Sequence, residues 1–500
     1  MNPKREGIFI SYARKDGEPT AVELRQLLTG ESFNVWRDRD SLAGGSGWWL
    51  QITEALDSVQ FMLLVLTPGA IASDIVRKEW RYARQQGVCV YLVKGTADLE
   101  FKTLPRWMSD QQIYDWFDLL EQQKLVNDLK KTPDLKRVPF MADDLPKDFV
   151  PRPGEFDQLI GHLLAENRED PVAITAALRG AGGYGKTTLA KAICHDERIQ
   201  DAFDDGILWV TLGETPGDLN AKVLELIEVL CGYKPDYTGT EAIAARFREL
   251  LADRDILLVI DDVWNHAHLR PFLQGGEHCA RLITTRNPKI LPDGVAEVPV
   301  DAMQESEAVA LLSAGLKEGR GDGGTERRGE TPSAELKLLA ARLGEWPLLL
   351  RLANGVLRNR TKSGEALAAA ITYANRALDK RGLKAFDASN PLERNQAVTA
   401  TLAVSLEQLT AEERERFFEL AIFPEDIYVP MATLEQYWRL DDLDTDDLCD
   451  RLYECSLLLE FDLGLRVIRL HDVIRTFLRD DRKTDLPTLN QRLLDAHRPA

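Results

Sequence analysis

The sequence predicts an α/β protein of several domains. Its 500 residues exceed one ordinary hydrophobic core and correspond to about three or four domains. Short apolar runs alternate with amphipathic stretches in two parts of the chain, up to about Lys131 and from about Phe149 to Val300. This alternation is typical of parallel sheets covered by helices. From Asp301 onward the pattern is mostly helical.

The first alternating part predicts strands with helices between them. A helix with apolar periodicity covers 21–28 and ends at Gly30. Because ligands of parallel α/β sheets bind beyond the carboxyl ends of the strands, the loops that follow these strands should converge on one edge. The predicted strands are 8–12, 33–36, 61–66 and 88–93.

A helix that begins after Ser73 carries the acidic side chain of greatest interest in this part. Ser73 is a favourable N-cap, and Gly87 ends the helix. Glu79 sits at the edge of the apolar stripe, among basic residues. Two interpretations remain open: Glu79 faces a ligand site, or it is exposed and pairs with neighbouring arginines. The stripe consists of Val76, Trp80 and Ala83.

The most specific motif of the chain is a phosphate-binding loop, Gly180-Ala-Gly-Gly-Tyr-Gly-Lys-Thr-Thr188. It matches G-x-x-x-x-G-K-[ST] at each fixed position, between an apolar run at 172–178 and a helical run after it. Lys186 should reach the β- and γ-phosphates, and Thr187 should ligate Mg²⁺. Backbone N–H groups and the helix N-terminus should hold the phosphates. The other predicted nucleotide contacts in this loop are Gly180, Gly182, Gly183, Gly185 and Thr188.

Two further strands deliver charged groups to the same predicted site. The apolar run 256–260 ends in Asp261 and Asp262, as a Walker-B strand does. Asp261 is expected to hold the Mg²⁺ shell, and Asp262 to orient water. The run 281–285 ends in Arg286, which is placed to sense a γ-phosphate. A surface arginine after a strand is the alternative for Arg286.

The charge balance argues against nucleic-acid binding. The chain has 62 Lys and Arg against 81 Asp and Glu, a formal net charge of −19. Residues 395–482 carry 9 basic and 20 acidic residues, a net −11, whereas residues 1–100 carry a net −1. A DNA-reading role for the C-terminal part is therefore disfavoured. No apolar run is long enough to cross a bilayer, no secretory signal is present, and the six cysteines form no Cys-x-x-Cys pair, so we expect a cytoplasmic protein.

The nucleotide-binding part resembles the NB-ARC ATPase, the STAND-type switch of plant resistance proteins and of the animal apoptosome. The motifs that carry the resemblance are Gly180–Thr188, Leu258–Trp264 and Ile283–Arg286. Further matches follow in the order of the family, at Val150–Arg152, Gly344–Leu348, Phe423–Asp426 and Leu470–Asp472. Glu345 and Trp346 depart from the family pattern Gly-Leu-Pro-Leu, and Leu470 stands for methionine.

The NB-ARC resemblance implies ADP or ATP and Mg²⁺ as ligands. It implies that Arg152 borders adenine, that Pro347 lies against adenine and that His471 contacts the β-phosphate of ADP. A satisfied histidine with no nucleotide contact is the alternative for His471. The implied segments are a nucleotide-binding domain at 149–300, a helical domain at 301–394, a winged helix at 395–482, and a lead-in to a further sensor region at 483–500.

The N-terminal part resembles a TIR domain, which has a flavodoxin-like fold. The matching segments are Gly7–Asp16, Val35–Gly45 and Ser73–Glu79, within a domain at 1–131 that a linker at 132–148 follows. Enzymatic TIR domains cleave the nicotinamide–ribose bond of NAD⁺, so the resemblance implies a catalytic Glu79. It implies NAD⁺ contacts from Tyr12, Arg14, Gly44 and Trp116. Ile75 and Val76 stand where the family often has tryptophan and cysteine.

Together the two resemblances predict a nucleotide-switched sensor. Exchange of ADP for ATP would drive self-association through the NB-ARC and TIR domains and activate NAD⁺ hydrolysis, in bacterial immune defence or signalling. The activating ligand would be sensed by a C-terminal region beyond residue 500. The alternative is an ATP-dependent signalling scaffold whose TIR domain only recruits partners.

Overall fold

Two five-stranded parallel sheets and one three-stranded antiparallel sheet organise the chain. They belong to a computed structural model, which describes residues 5–37, 48–97, 99, 104–109, 111–131, 137–165, 172–176, 182–316, 331–383, 391–424 and 427–498. Among these residues, no helix combines the length and the apolar character that crossing a membrane requires.

The first sheet has the order β2-β1-β3-β4-β5. The observed strand at 61–66 agrees with the prediction, whereas β1 ends at Ser11 and β2 begins two residues later than predicted. Its strands are Ile8–Ser11 (β1), Val35–Arg37 (β2), Phe61–Leu66 (β3), Cys89–Lys94 (β4) and Ile113–Asp115 (β5). Its helices are Glu18–Gly30 (α1), Trp48–Ser58 (α2), Pro68–Ile71 (α3), Asp74–Gln85 (α4), Arg106–Ser109 (α5) and Leu119–Leu129 (α6).

Each face of this sheet has its own hydrophobic core. Ile8 and Ile10 of β1 pack with α1 and α6, and Phe9, between them, packs with α2 and α4. Helix α4 has the predicted cap, because the Ser73 hydroxyl accepts a hydrogen bond from the Val76 N–H. The predicted apolar stripe of α4 is buried against the sheet.

The second sheet has the order β10-β6-β9-β8-β7. Its strands are Val172–Ala176 (β6), Gly206–Gly213 (β7), Ile256–Val263 (β8), Ala280–Thr285 (β9) and Ala296–Val300 (β10). Its helices are Pro153–Leu163 (α7), Lys186–Cys194 (α8), Glu197–Ala202 (α9), Leu219–Cys231 (α10), Thr240–Leu251 (α11) and His266–Leu269 (α12). Short 3₁₀ turns follow at Arg270–Phe272 and Pro288–Ile290.

In the described parts of 301–406, five helices follow the second sheet, and the third packs against the first, fourth and fifth of them. They are Glu305–Ser313 (α13), Thr331–Arg342 (α14), Pro347–Lys362 (α15), Leu367–Lys380 (α16) and Pro391–Leu406 (α17). The domain boundary predicted between residues 394 and 395 falls within helix α17.

The C-terminal part combines helices with the antiparallel sheet, whose order is β11-β13-β12. The wing strand predicted at 465–470 is present as β13, although the assignment of a winged helix stays a prediction. The strands are Val429–Pro430 (β11), Glu460–Asp462 (β12) and Val467–Arg469 (β13). The helices are Ala411–Glu419 (α18), Met431–Trp438 (α19), Asp442–Glu454 (α20), Asp472–Asp481 (α21) and Leu486–Ala496 (α22), with a 3₁₀ turn at Leu420–Ile422.

Helix α4 of the first sheet docks on helix α9 of the second. The Arg81 guanidinium, only 8% exposed, forms an ion pair with Asp201 and donates to the Glu197 carbonyl. Arg77 lies 3.5 Å from the Glu197 carboxylate. The segment that connects the two sheets runs beside this contact, where Pro139 and Arg81 line the same cavity. The Pro139 carbonyl accepts a hydrogen bond of 2.8 Å from the Ile207 N–H of β7. The two sheets are therefore joined by side chains as well as by the chain itself.

Candidate functional site

The phosphate loop is shaped by glycines that approach two later helices. Gly185 has φ 83°, a left-handed conformation that glycine adopts easily, and caps α8. A Cβ on Gly182 would lie 2.9 Å from the Val473 side chain in α21, and a Cβ on Gly183 would lie 2.9 Å from Leu348 in α15. These loop glycines therefore permit close packing of the C-terminal helices. Gly180 lies outside the described residues.

A hydroxyl and a carboxylate meet at the start of α8. The Thr187 hydroxyl donates to Asp261 Oδ1 at 2.9 Å, and the Thr284 hydroxyl donates to the same oxygen at 2.6 Å. Asp261 is buried at the end of β8. These are oxygen ligands, which Mg²⁺ prefers. Thr187 and Asp261 therefore fit the predicted Mg²⁺ site.

Lys186, the first residue of α8, is buried in the cleft. Burial and the neighbouring Arg286 lower the pKa of Lys186 to about 8, although Asp262 and Asp261 oppose the shift. A buried ammonium group that lines this cleft is well suited to binding an anion.

Arg286 joins the second sheet to the C-terminal helix α21. Its guanidinium lies 2.7 Å from Asp472 Oδ2 and 3.3 Å from Asp262 Oδ1, and it packs over the Trp264 ring. The side chain is mostly buried within the cleft, so the alternative of a surface arginine is wrong. The predicted phosphate sensor is thus held by a carboxylate from α21.

His471 is the N-cap of α21 and lines the cleft. Its Nδ1 accepts a hydrogen bond from the Val473 N–H at 3.1 Å, so the proton of the neutral ring is on Nε2. Burial and the cations Arg286 and Arg351 lower the pKa of His471 to about 3. The neutral ring of His471 can therefore donate from Nε2 to a phosphate oxygen.

An apolar cavity of about 120 Å³ adjoins the phosphate loop. Pro347, at the start of α15, lines it together with the half-buried Val150. The contact of Pro347 with adenine stays a prediction. Arg152 also lines it, but its guanidinium is hydrogen-bonded to the carbonyls of Tyr184 and Ala302. Arg152 therefore holds the phosphate loop to the β10–α13 connection.

A second candidate site lies at the carboxyl edge of the first sheet. Glu79 is 3% exposed, and its Oε2 accepts a hydrogen bond of 2.6 Å from the Ser11 hydroxyl. The alternative of an exposed Glu79 is therefore wrong. Arg14 is exposed beyond the end of β1, and Gly44 lies outside the described residues.

Two of the predicted NAD⁺ contacts lie on the other face of this sheet. Tyr12 and Trp116 are buried in the core that β1 shares with α1 and α6. The Trp116 indole N–H donates to Glu23 of α1 at 2.7 Å, which fixes the ring there. The expected NAD⁺ contact from Trp116 is therefore corrected, because its ring packs in the core of the face opposite Ser11 and Glu79.

Two family models match the chain in succession. The TIR domain model matches residues 8–129, and the NB-ARC domain model matches residues 153–318. The chain joins a TIR domain to an NB-ARC domain.

Known proteins of a bacterium, an animal and a plant are similar to this chain. The regulatory protein AfsR of Streptomyces coelicolor is 31% identical over 65% of this chain. Apoptotic protease-activating factor 1 of Danio rerio is 27% identical over 70%, and the probable disease resistance protein RF45 of Arabidopsis thaliana 26% over 61%. This chain spans between 27% and 31% of the length of these three proteins.

Among solved structures, a STAND protein with a tetratricopeptide repeat sensor from Pyrococcus horikoshii matches with a TM-score of 0.46 and 15% identity. The match covers 72% of this chain and 48% of that one.

Trp346 contacts the NB-ARC phosphate loop, which sequence reasoning missed. Its ring stacks on Tyr184, with centroids 5.5 Å apart, and its indole N–H donates to the Gly182 carbonyl at 3.2 Å. Trp346 is one of the two residues that depart from the family pattern Gly-Leu-Pro-Leu. This departure was the feature of the sequence that could have pointed to the contact. The departure therefore adds a contact between the helical region and the loop.

An ion-pair network around the buried Lys191 was not predicted from the sequence. Lys191 of α8 lies 2.9 Å from both Asp143, in the segment after the TIR domain, and Glu460 of β12. The Tyr428 hydroxyl lies 2.9 Å from Asp143 and 2.5 Å from Glu460. The phosphate-loop helix, the linker and the C-terminal sheet are thus held by one network, which we call the linker lock (Asp143, Lys191, Tyr428 and Glu460).

The lowered pKa of Lys186 predicts how ADP affinity of the NB-ARC part depends on pH. Lys186 is charged below about pH 8 and neutral above it in the free protein. Because phosphate binding requires the charge, the dissociation constant for ADP should rise about tenfold per pH unit above pH 8. Calorimetric titrations between pH 7 and 9.5 would measure it. A constant affinity across this range would contradict the prediction.

Proposed function

We propose that this chain is a nucleotide-switched sensor whose NB-ARC part controls NAD⁺ hydrolysis by its TIR domain. The observation that carries the proposal is the composition of the cleft. The phosphate loop and the Mg²⁺ oxygens come from the nucleotide-binding sheet, whereas His471 and Asp472 come from the C-terminal helix α21. A ligand in this cleft would contact both parts of the molecule at once.

Arg286 supplies a physical basis for distinguishing ATP from ADP. A γ-phosphate beside Lys186 would compete with Asp472 for the Arg286 guanidinium, because both are anions within reach of one cation. ADP lacks this group and leaves the Arg286–Asp472 pair intact, while His471 donates to its β-phosphate. ATP would therefore favour a state in which α21 has left the cleft, which gives the two nucleotides different affinities for the two states.

The TIR domain is connected to this switch through helix α4. One side of α4 carries Glu79 into the TIR domain, and Arg81 on another side is buried against α9. The linker lock ties the segment between the domains to the C-terminal sheet. We assign this arrangement to the resting state, in which the outer surface of α4 is covered. Opening of the NB-ARC part would release both contacts and allow TIR domains of several copies to associate.

The proposed chemistry is cleavage of the bond between nicotinamide and ribose. This reaction passes through an oxocarbenium-like state, which a nearby carboxylate stabilises by its charge and by hydrogen bonds to the ribose hydroxyls. Glu79 is the residue we assign to this role, with Arg14 beyond the end of β1 as a candidate contact to NAD⁺. Gly44, outside the described residues, stays a candidate contact from the TIR resemblance alone. We further propose a cytoplasmic, bacterial immune or signalling role, without DNA or membrane partners. A winged helix within 395–482 completes the proposed domain order.

Replacing His471 with alanine tests the proposal. The loss of a donor to the β-phosphate should weaken the resting state, so we expect NAD⁺ consumption at least about tenfold faster than in wild type with ATP and Mg²⁺. Chromatography of NAD⁺ and nicotinamide would measure it. His162→Ala is the control, because His162 is an exposed histidine of α7 outside the cleft.

A signalling scaffold is the second candidate function. Ile75 is 48% exposed at the position where enzymatic TIR domains often have a stacking tryptophan, and it offers no ring to a base. If the His471→Ala variant forms oligomers with ATP and leaves NAD⁺ intact, the scaffold replaces the hydrolase.

A further inference from the structure

We infer that Ser11 is a positioning residue for Glu79 in NAD⁺ cleavage, an inference that rests on the proposed function. Its hydroxyl donates to one carboxylate oxygen of Glu79. This bond fixes the direction of the second carboxylate oxygen and favours the charged form of the carboxylate. Neither the TIR motifs of the sequence nor the comparisons assign Ser11 a role.

The strand geometry explains why Ser11, and not its neighbours, reaches Glu79. Side chains of β1 alternate between the two faces of the sheet. Ile10 and Tyr12 point to the face of α1 and α6, whereas Phe9 packs on the face of α4. Ser11 shares the face of Phe9 and is the last residue of β1, at the carboxyl edge where α/β proteins bind ligands. A polar side chain at this position therefore meets the carboxylate of α4.

Helix α4 leaves Glu79 little freedom apart from its side-chain torsions. The helix is capped by Ser73 and packs on β1, β3 and β4. Trp80, the next residue, is buried, and the centroid of its ring lies 5.2 Å from that of Trp107. Because the backbone of Glu79 is held on this well-packed helix, the remaining variable is where its carboxylate points. The 2.6 Å bond from Ser11 restricts that direction.

Burial makes the Ser11 bond more consequential. Ser11 has no exposed surface, and Glu79 has 3%. A carboxylate removed from water is destabilised in its charged form, and a hydroxyl that donates to it compensates for part of this cost. The reaction needs the charged form, since it is the negative charge that stabilises the oxocarbenium-like state. Ser11 therefore helps to keep Glu79 ionised and aimed without touching NAD⁺ itself.

The Ser11→Ala variant, made in the activated His471→Ala protein, tests the inference. We expect kcat for NAD⁺ hydrolysis to fall about tenfold to a hundredfold, with KM changed less than about threefold. Loss of the donor favours the protonated carboxyl, so the acidic limb of the pH–rate profile should move up by about one pH unit. Ser58→Ala is the matched control, because the Ser58 hydroxyl bonds a backbone carbonyl at the end of α2.

Two further variants separate positioning from general damage. Ser11→Cys preserves the size of the buried side chain but donates weakly, so it should reproduce the effects of alanine even where alanine impairs folding. In a Glu79→Gln background, Ser11→Ala should cause no further loss of kcat, since the negative charge that Ser11 orients is already absent, although the hydrogen bond itself can persist. A loss of the same factor in both backgrounds would show that Ser11 does not act through Glu79 and would overturn the inference.

The outcomes distinguish this inference from the proposed function. Suppose that the His471→Ala parent hydrolyses NAD⁺ and that both Ser11 variants have the same kcat and the same acidic limb of the pH–rate profile as this parent. Ser11 then has no positioning role, and the proposed hydrolase function is unaffected. If the parent hydrolyses no NAD⁺, the proposed function fails and the role of Ser11 fails with it. A reduced kcat, an unchanged KM and a shifted acidic limb together support both the positioning role of Ser11 and the proposed NAD⁺ hydrolysis.

Discussion

Replacing Lys186 with alanine is expected to weaken ADP binding at least about a hundredfold. The ammonium group is buried at the start of α8, within a cleft whose other walls carry Arg286 and His471. Each hydrogen bond between a charged group and a phosphate contributes about 1.5–3 kcal/mol, and about 2.7 kcal/mol corresponds to a hundredfold change. Removal of the bonds to two phosphates therefore accounts for the expected loss.

Titration with a fluorescent ADP analogue would measure this loss directly. Lys222→Ala is the matched control, because Lys222 is a half-buried lysine of the same domain that donates to the Thr211 carbonyl away from the phosphate loop. It should keep the affinity of the wild type. An affinity of the Lys186 variant within about threefold of the wild type would refute the assignment of the cleft as the nucleotide site.

Replacing Glu79 with glutamine, in the activated His471→Ala protein, is expected to lower NAD⁺ hydrolysis by at least about a hundredfold to a thousandfold. Glutamine preserves the shape of the side chain, and its carbonyl oxygen can still accept the hydrogen bond from Ser11. The substitution therefore removes the negative charge with little change in packing, so the loss reports on charge stabilisation of the oxocarbenium-like state.

The rate of nicotinamide release at saturating NAD⁺ is the appropriate measurement. Glu54→Gln provides the control, since Glu54 is an exposed glutamate of α2 and undergoes the same chemical change. Equal turnover by the Glu79 and Glu54 variants would remove Glu79 from the catalytic role. The melting temperatures of both variants should remain near that of their parent, because neither change creates a cavity.

Sequence patterns located four strands of the first sheet and three of the second, and missed β5, β7 and β10. The phosphate loop, the apolar strand before Asp261 and the capped helix α4 are local features, in which a few consecutive residues determine the backbone. The same patterns indicated the face of α4 that enters the core. Exact strand ends were less predictable: β8 continues through Asp261 and Asp262 to Val263, because pairing with β7 and β9 extends the strand beyond its apolar run.

By itself, the sequence determined the nucleotide motif, the TIR resemblance and the candidate carboxylate Glu79. Only the tertiary structure decided which residues meet, because those pairs lie far apart in the chain. Ser11 meets Glu79 across 68 positions, Arg286 meets Asp472 across 186, and Lys191 meets Glu460 across 269. Periodicity reports which face of an element is apolar, whereas the partner of a buried polar group depends on how the elements pack. Burial then set the charge states of Lys186 and His471, which no local pattern encodes.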